Sequence, residues 1–403
     1  MRVRGLVATL TVLVLATSML VVPGLNAVQP AKAGVSEWRY LVYLIADNNL
    51  DTNAGQFNIP VVEDDFRELM SVGSSDLVQC YVFVDRLEGP ANLFKILKGS
   101  MEEIESFDLN DKEVNMGDPA VLRAFVEFVY DAAPAEHTVL MFWDHGCAEY
   151  AGWDDNALGP GIPDMLTHYE VMEALKGYKV DVMGFDECLV GQIEVCYEYV
   201  MNDVQVDYFL ASETYTGWRG YPYDWTLGEL VDHPDMTPRE CAIMFIEQTD
   251  LLLNQPPYQA EIVTDHAAID MGKMRELVGS FHSLASMITP DMKSFVRAIS
   301  LARGAATFSY GANAIGIIDF GTFVDTLGKY AKPLDVKQAC VEVMIIFHDT
   351  ILATQLTQAV DHHLTGLGLL FPQHNAEIDD YYLGYQFMDE EWMAFLEAFW
   401  NKG

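Results

Sequence analysis

Short apolar segments alternate with amphipathic segments along most of this chain, and this alternation is what most constrains its fold. Segments with the character of β-strands lie at 40–46, 78–85, 138–143, 180–185, 208–211 and 262–269. Segments with helical periodicity lie between them, at 61–72, 119–132, 168–175, 192–201 and 238–254. Strands separated by helices of this length are typical of a mainly parallel sheet that helices cover on both faces. The sequence therefore predicts an α/β fold.

Beyond Asp270 the pattern changes and becomes mostly helical. Helices are predicted at 274–287, 291–306 and 336–356, followed by a last short strand at 366–371. The chain contains no Ser-, Gly- or Pro-rich hinge that would separate two independent domains. We therefore predict an α/β core over residues 34–270 and a mostly helical C-terminal part, residues 271–403, that packs on the core as one unit.

The first 33 residues have the features of a secretory signal. Arg2 and Arg4 provide a basic start, residues 6–22 are apolar or small, and Ala31-Lys32-Ala33 offers small residues at a cleavage site. The apolar run of 17 residues is also near the lower limit for crossing a bilayer, so an uncleaved N-terminal membrane anchor is the alternative. Either interpretation predicts a secreted or cell-surface protein.

The charge balance excludes one large class of function. The chain has 23 Lys and Arg against 60 Asp and Glu, which gives a formal net charge of −37. A protein that binds nucleic acid through its phosphates needs the opposite balance. The six cysteines show no CxxC pair and no metal-finger spacing, so neither a disulfide scaffold nor a structural zinc site is predicted.

Two strand ends carry reactive side chains in the same arrangement. One strand runs into Asp144-His145-Gly146, and the other runs into Asp186-Glu187-Cys188. If these strands are parallel neighbours, His145 and Cys188 emerge at the same carboxyl edge of the sheet, where open α/β proteins place their sites. Adjacent strands lie about 4.8 Å apart, so the two side chains could approach each other. The pattern predicts a Cys–His dyad.

Thiol chemistry explains why these residue types would occur together. A free thiol has a pKa of about 8.5 and needs a neighbouring imidazole or a helix N-terminus to become a nucleophile. Cys188 precedes the predicted helix at 192–201, so we expect both the imidazole of His145 and a helix N-terminus to lie near its thiol. The N–H groups of Gly146 and Cys188 could form an oxyanion hole, in which each donor contributes about 3–4 kcal/mol. A buried core thiol is the alternative for Cys188 considered alone.

These motifs resemble those of the clostripain-type cysteine peptidases, family C11 of the caspase-like group. The resemblance covers almost the whole mature chain. The two central motifs are specific, and weaker similarity is present at 43–51, 210–213, 220–224, 318–320, 366–372 and 392–396. The resemblance implies a caspase-like fold and an endopeptidase that cleaves after basic residues. Arg is expected to be preferred over Lys, because its planar guanidinium fits a carboxylate better.

The resemblance also suggests roles for two acidic residues. Asp186 matches the position where the family keeps a carboxylate at the floor of its first specificity pocket, and a turn or cap aspartate is the alternative. Glu213 ends the next predicted strand and could form a second acidic wall, although a solvated strand-end acid would look the same. Of the residues at 47–49, we expect capping of the following helix in preference to orientation of His145.

Calcium is the one cofactor that the resemblance raises, because calcium dependence is known in the family. The acid-rich loops at Asp154-Asp155 and Asp379-Asp380 could bind it, but neither has the spacing of a calcium loop. His362-His363 is not assigned as a metal pair, because adjacent histidines on a helix face different directions and no third ligand is evident. No metal site is therefore predicted.

The chain departs from the family pattern at two points. Cys147 follows the His-Gly pair, where further glycines are usual, and its thiol is either an inert small side chain or a redox partner of Cys188. In addition, Lys176 and Lys179 are the only cations between the two motifs, at a helix end and a strand start. Self-cleavage of that loop is therefore in doubt.

The sequence as a whole predicts an exported cysteine endopeptidase that acts on peptides or proteins with basic residues. Two rival functions remain at this stage. The chain could be a catalytically silent surface protein that keeps the fold for binding, or a thiol redox protein that uses Cys147 and Cys188.

Overall fold

The computed structural model describes residues 34–54, 59–258, 264–308, 316–357, 364–374, 378 and 380–401. The strands are β1 (Ser36–Ala46), β2 (Asn53–Ala54), β3 (Ile59–Pro60), β4 (Val78–Arg86), β5 (Asn92–Leu97), β6 (Ser100–Glu103), β7 (Ala135–Trp143), β8 (Tyr150–Asp154), β9 (Asp164–Thr167), β10 (Lys179–Asp186), β11 (Gln205–Ala211), β12 (Asp265–Asp270), β13 (Ile317–Asp319), β14 (Ile351–Leu356) and β15 (Gly368–Leu370). The helices are α1 (Val61–Val72), α2 (Pro119–Ala132), α3 (His168–Ala174), α4 (Ile193–Met201), α5 (Tyr223–Asp232), α6 (Pro238–Leu253), α7 (Met274–Ile288), α8 (Met292–Ala306), α9 (Phe320–Tyr330), α10 (Leu334–Thr350) and α11 (Glu390–Trp400).

Nine of these strands form one sheet in the order β14-β12-β11-β10-β7-β1-β4-β5-β6. The five central strands, from β11 to β4, are parallel to their neighbours. The strands beyond them on both sides pair antiparallel. The predicted α/β sheet is therefore confirmed, with the correction that its edges are antiparallel and the sheet is mixed.

The central strand β1 shows why the core strands have nearly continuous apolar sequences. Tyr40, Val42 and Leu44 pack into the hydrophobic cluster on one face of the sheet. The alternate residues Leu41 and Tyr43 pack into the cluster on the other face, and all five are at most 1% exposed. Both faces of β1 are thus covered, which is the usual state of strands in a parallel sheet with helices on either side.

The predicted helix at 336–356 is wrong in its last part. The helix α10 ends at Thr350, and residues 351–356 form β14, which pairs antiparallel with β12 at the edge of the main sheet. The segment Ile351-Leu352-Ala353-Thr354-Gln355-Leu356 is short and apolar, and such segments fit a helix or a buried strand equally well by pattern. Pairing with β12 decides in favour of the strand, because it satisfies backbone groups that the sheet edge would otherwise leave open.

Several short elements were not predicted. The hairpin of β5 and β6 turns at Lys98-Gly99, and Gly99 adopts a φ of +81°, which favours glycine. The helices α5 and α9 were also missed. Asp319 begins α9 as its N-cap and accepts a hydrogen bond from the backbone N–H of Thr322 at 2.6 Å.

The C-terminal helices share a hydrophobic cluster with one face of the sheet. Phe281 of α7, Phe320 of α9 and Trp392 of α11 lie in the same cluster as Phe185 of β10 and Phe209 of β11. These five aromatic side chains are at most 1% exposed. The helical part therefore supports the strand that ends at Asp186.

Among the described residues, no helix is both long enough and apolar enough to span a bilayer. The predicted signal segment, residues 1–33, lies outside the described residues.

Candidate active site

The register between β7 and β10 brings the two predicted reactive residues together. The strands are parallel, and Trp143 lies opposite Asp186 in the last pair of the ladder. His145 and Cys188 each follow this pair by two residues, so they leave the sheet at the same level. Both line a cavity of about 250 Å³ at the carboxyl edge of the sheet.

Asn49 is a contact of His145 that the sequence interpretation did not select. It follows β1, which is the other neighbour of β7, and its Oδ1 lies 2.8 Å from Nε2 of His145. An amide oxygen can only accept, so Nε2 donates the proton and the lone pair of Nδ1 remains available. Burial lowers the pKa of His145, with the carboxylate of Asp155 acting in the opposite direction. The histidine is therefore a neutral base in this structure.

The predicted cap is the neighbouring residue, Asn48. Its side-chain oxygen accepts from the backbone N–H of Leu50 at 2.9 Å. Its amide nitrogen donates to Oδ1 of Asp144 at 2.7 Å and to the carbonyl of Trp153 at 2.9 Å. Asn48 is 1% exposed, and its buried hydrogen bonds hold the turn that carries Asn49 in place. Capping and contact with the histidine are thus divided between two adjacent asparagines.

The thiol of Cys188 lies beneath the segment that follows β11. The backbone N–H of Thr216 donates to Sγ at 3.3 Å. Burial raises the pKa of Cys188 to about 11, and the nearby carboxyl groups of Glu187 and Asp186 add to this, whereas the N–H of Thr216 opposes it. The expected help from a helix N-terminus is absent, because the N-cap of α4 is Gln192, four residues further along the chain.

Gly146 and Glu187 form a close contact beside the thiol. A Cβ atom on Gly146 would lie 2.5 Å from Oε2 of Glu187, so a larger residue would not fit without a shift. Glu187 is 1% exposed, and neither of its carboxyl oxygens has a hydrogen-bond partner among the described residues. Burial raises the pKa of this carboxyl group well above its usual range, and the neighbouring carboxyl groups of Asp144 and Asp186 add to this.

Asp186 lines the same cavity and is held by two groups, one just before α5 and one on its first residue. Its Oδ2 accepts from the backbone N–H of Tyr221 at 3.2 Å and from the hydroxyl of Tyr223 at 3.1 Å. Burial raises the pKa of Asp186 to about 7, while these contacts and the Arg219 guanidinium oppose the rise. The position at the cavity wall fits the predicted pocket carboxylate.

Glu213 does not have the surroundings that its predicted role requires. It is fully buried, does not line the cavity, and accepts from the backbone N–H of Gly366 at 2.8 Å. Burial and the neighbouring carboxyl groups of Asp319 and Asp265 raise its pKa well above the usual range. We therefore correct its assignment from substrate-binding wall to a buried link between the strand end and the C-terminal part.

Arg219 is the second residue that the sequence interpretation missed. It lines the cavity and makes an ion pair with Glu68 of α1. Their side chains are only 14% and 13% exposed. Glu68 is fixed in turn by the backbone N–H of Tyr223, which donates to Oε2 at 3.0 Å. A cation thus sits in the wall of a cavity whose lining also includes several carboxyl groups.

Cys147 is not among the residues that line the cavity and packs against the hydrophobic core. Its Sγ accepts from the backbone N–H of Glu149 at 3.4 Å, and its carbonyl accepts from Nε2 of His168 at 2.9 Å. Burial raises its pKa to about 11, and both Cys147 and Cys188 are free thiols. These contacts favour a packing role.

The acid-rich loop at Asp154-Asp155, one of the two possible calcium sites, uses its carboxyl groups in contacts within the protein. The oxygens of Asp154 are engaged by the N–H groups of Met116 and Asn156 at 2.9 and 3.1 Å, and Asp155 accepts from the indole of Trp153. Asp379 and His362-His363 lie outside the described residues. No step of the mechanism is therefore assigned to a metal.

One group of three possible ligands within 4.8 Å occurs among the described residues, formed by His282, Asp389 and Glu391. Asp389 is already engaged as the N-cap of α11 and in a 2.9 Å contact with Nδ1 of His282. The positive end of a helix dipole also opposes a cation at this position. The group is explained as a helix cap.

An α/β sheet that presents a histidine and a cysteine from adjacent central strands to one cavity defines the class of caspase-like cysteine peptidases. Within this class, the model of the Clostripain family matches residues 42–399. The chain therefore belongs to the clostripain family, as its motifs indicated.

Individual relatives agree with this assignment. Clostripain of Hathewaya histolytica is 32% identical over 142 residues, which cover 32% of this chain and 27% of that protein. A secreted C11 cysteine protease from Bacteroides thetaiotaomicron, solved with an irreversible peptide inhibitor, has a TM-score of 0.65 at 16% identity, over 89% of this chain and 99% of that chain. An inactive zymogen C11 protease from Parabacteroides distasonis also has a TM-score of 0.65, at 14% identity, over 88% of this chain and 97% of that chain. The structural likeness confirms the fold.

The first prediction concerns the resting thiol. Because the pKa of Cys188 is raised to about 11, its alkylation by iodoacetamide should accelerate by roughly tenfold per pH unit between pH 7 and pH 9. The measurement is the rate of labelling at Cys188, followed by mass spectrometry, with Cys188→Ala as the control. A rate that is already constant from pH 6 upward would indicate a preformed thiolate–imidazolium pair and contradict this assignment.

The second prediction concerns Cys147. A mild oxidant should inactivate the parent and Cys147→Ser at equal rates, because the Cys147 thiol contacts Glu149 and lies outside the cavity lining. Residual activity and the mass of Cys-containing peptides would be followed together. Protection in the variant, together with a Cys147–Cys188 disulfide in the parent, would restore the redox interpretation.

Proposed function

We propose that this chain is a cysteine endopeptidase in which Cys188 is the nucleophile and His145 the general base and acid. The observation that supports this most directly is the β7–β10 register, in which both residues follow the Trp143–Asp186 pair by two positions. Membership of the clostripain family adds independent support. Peptides or proteins are therefore the substrates that we infer.

Because the imidazole and the thiol are both neutral in the resting site, proton transfer would accompany attack. Nδ1 of His145 would take the proton from Cys188 as Sγ attacks the scissile carbonyl, and would then give it to the leaving amine. A water molecule, activated by the same nitrogen, would release the acyl group. The contact from Asn49 to Nε2 would hold the ring in the required tautomer, which makes Asn49 a positioning residue.

Backbone donors beside the thiol support an oxyanion hole. The N–H groups of Gly146 and Cys188 have no acceptor among the described residues, and both residues adjoin the cavity that contains the dyad. Two free N–H groups near a nucleophile can stabilise the charge that develops on the carbonyl oxygen.

The lining of the cavity supports cleavage after basic residues. Asp186 lies two residues before the nucleophile, at the wall of the cavity. A guanidinium that leaves water needs a carboxylate in a two-pronged pair to offset its desolvation, and Arg meets this geometry better than Lys. We therefore propose a preference for Arg over Lys before the cut bond.

Export is the location that we propose. The basic and apolar N-terminus resembles a secretory signal, and one structural neighbour is described as a secreted protease. An N-terminal anchor would keep the same catalytic unit at the cell surface.

A catalytically silent binding protein is the second candidate, and the raised thiol pKa is the observation that favours it. A silent site would label with an acyloxymethyl-ketone peptide no faster than denatured protein. The peptidase should label in its folded state, because His145 lines the same cavity as the thiol and would take its proton during attack.

The third prediction tests the dyad. Cys188→Ala and His145→Ala should each abolish hydrolysis of an arginyl substrate, whereas Asn49→Ala should retain both reacting groups and lower kcat by about 10- to 100-fold. Thermal melts would verify that the three variants fold. Full activity in either dyad variant with an unchanged melt would refute the mechanism, and full activity in Asn49→Ala would remove its positioning role.

The fourth prediction tests the pocket. Asp186→Asn keeps the shape and removes the charge, so kcat/KM for cleavage after Arg should fall roughly 30- to 1,000-fold, equal to about 2–4 kcal/mol. Asp232→Asn removes one exposed carboxylate from the nearby helix α5 and is the matched control. Substrates ending in Arg, Lys, Asp and Leu would be compared. An unchanged Arg preference in Asp186→Asn would show that another group recognises the substrate.

A further inference from the structure

The cavity that would receive a basic side chain already contains a cation of its own. Among the described residues that line it, Arg219 is the one with a permanent positive charge, and the lining also includes the carboxyl groups of Asp65 and Asp186. The guanidinium lowers the pKa of both carboxyl groups relative to what burial alone would give. Its field therefore reaches the floor of the proposed pocket.

Arg219 cannot leave this position without a loss of contacts. Its guanidinium pairs with Glu68 and lies 5.9 Å from the centre of the Tyr258 ring. Burial alone would lower the pKa of Arg219, but the Glu68 carboxylate outweighs this effect and the net shift is upward. The residue is therefore charged and fixed at the pH of any assay.

The chain around Arg219 is also held against the pocket floor. Gly220 has a φ of +56°, and a Cβ atom there would lie 2.3 Å from Oδ2 of Asp186. The next residue, Tyr221, donates its N–H to the same oxygen. Arg219 is thus one residue from a backbone that is packed directly on the carboxylate that would bind the substrate.

From this arrangement we propose that Arg219 is a specificity-determining residue, a resident cation that competes with the basic side chain of the substrate for the acidic pocket. The inference rests on the proposed peptidase function and goes beyond it, because it says that cleavage after Arg and Lys is held below what the pocket would otherwise support. Two like charges within one small, partly buried cavity repel each other more strongly than they would in water. A neutral substrate side chain would not experience this repulsion.

The alternative is that Arg219 only anchors the loop through Glu68. The two possibilities differ in their effect on selectivity. Loss of an anchor would lower kcat/KM for every substrate together, because the whole loop would shift. Loss of a competing cation would raise cleavage after Arg and Lys relative to cleavage after Leu.

The test is the kcat/KM ratio of Arg to Leu substrates in the parent, Arg219→Gln and Arg219→Lys. The assays are made at pH 8.5, above the pKa of about 7 for Asp186, and at fixed ionic strength. The ratio should rise by about tenfold in Arg219→Gln and stay within about twofold of the parent in Arg219→Lys, which keeps the charge. Inhibition by agmatine, a free alkylguanidinium, should strengthen by a similar factor in Arg219→Gln alone.

The other possible results would overturn either the inference about Arg219 or the proposed function. An unchanged or lowered Arg-to-Leu ratio in Arg219→Gln would overturn the inference, and a proportional fall for all substrates would assign Arg219 as an anchor. A parent that cleaves no peptide would instead refute the proposed function. A parent that prefers Asp before the cut bond, with loss of that preference in Arg219→Gln, would show that Arg219 binds the substrate and would overturn both basic specificity and competition.

Discussion

The register of two buried parallel strands is the constraint on which the site depends. Because β7 and β10 pair with Trp143 opposite Asp186, the residues two positions later leave the sheet side by side. A slip of one residue would move the side chains of one strand to the opposite face of the sheet. Phe142 and Phe185, which stack at 5.3 Å in the core, would then lose their packing. The same packing that stabilises the fold therefore also fixes the approach of His145 to Cys188.

The dyad could be predicted from the sequence because its information is local. Each reactive residue follows its own apolar strand directly. Because parallel strands end at the same carboxyl edge of the sheet, the two residues are predicted to lie close together. Arg219 could not be predicted in this way, and contact of Asn49 with His145 was only the less favoured alternative to capping. Asn49 contacts a histidine 96 residues away, and Arg219 pairs with a glutamate 151 residues away. Both carry weak local signals, since an asparagine after a strand looks like a cap and an arginine in a loop looks solvated.

The errors in the predicted fold have a related cause. The central strands have both faces buried, so their apolar runs are unmistakable, whereas the edge elements are short and mixed in character. Residues 351–356 became a strand because β12 offers them a partner, which no local pattern records. Glu213 illustrates the same limit at a single residue. Its position at a strand end suggested a solvent-facing acid, but the C-terminal part covers it and supplies the N–H of Gly366 as its partner.

An acid-rich chain with buried carboxyl groups should respond to pH in a particular direction. Burial raises the pKa of Asp186 to about 7 and those of Asp85 and Glu194 to about 8. A group whose pKa is higher in the folded state than in the unfolded state binds more protons when folded, so the free energy of unfolding falls as pH rises between the two values. These groups stabilise the fold fully below about pH 4, and that contribution is lost by about pH 8. Ionisation of Asp186 and formation of a thiolate at Cys188 both require higher pH. The pH that favours the proposed reaction therefore lowers the contribution of these buried carboxyl groups to the free energy of unfolding.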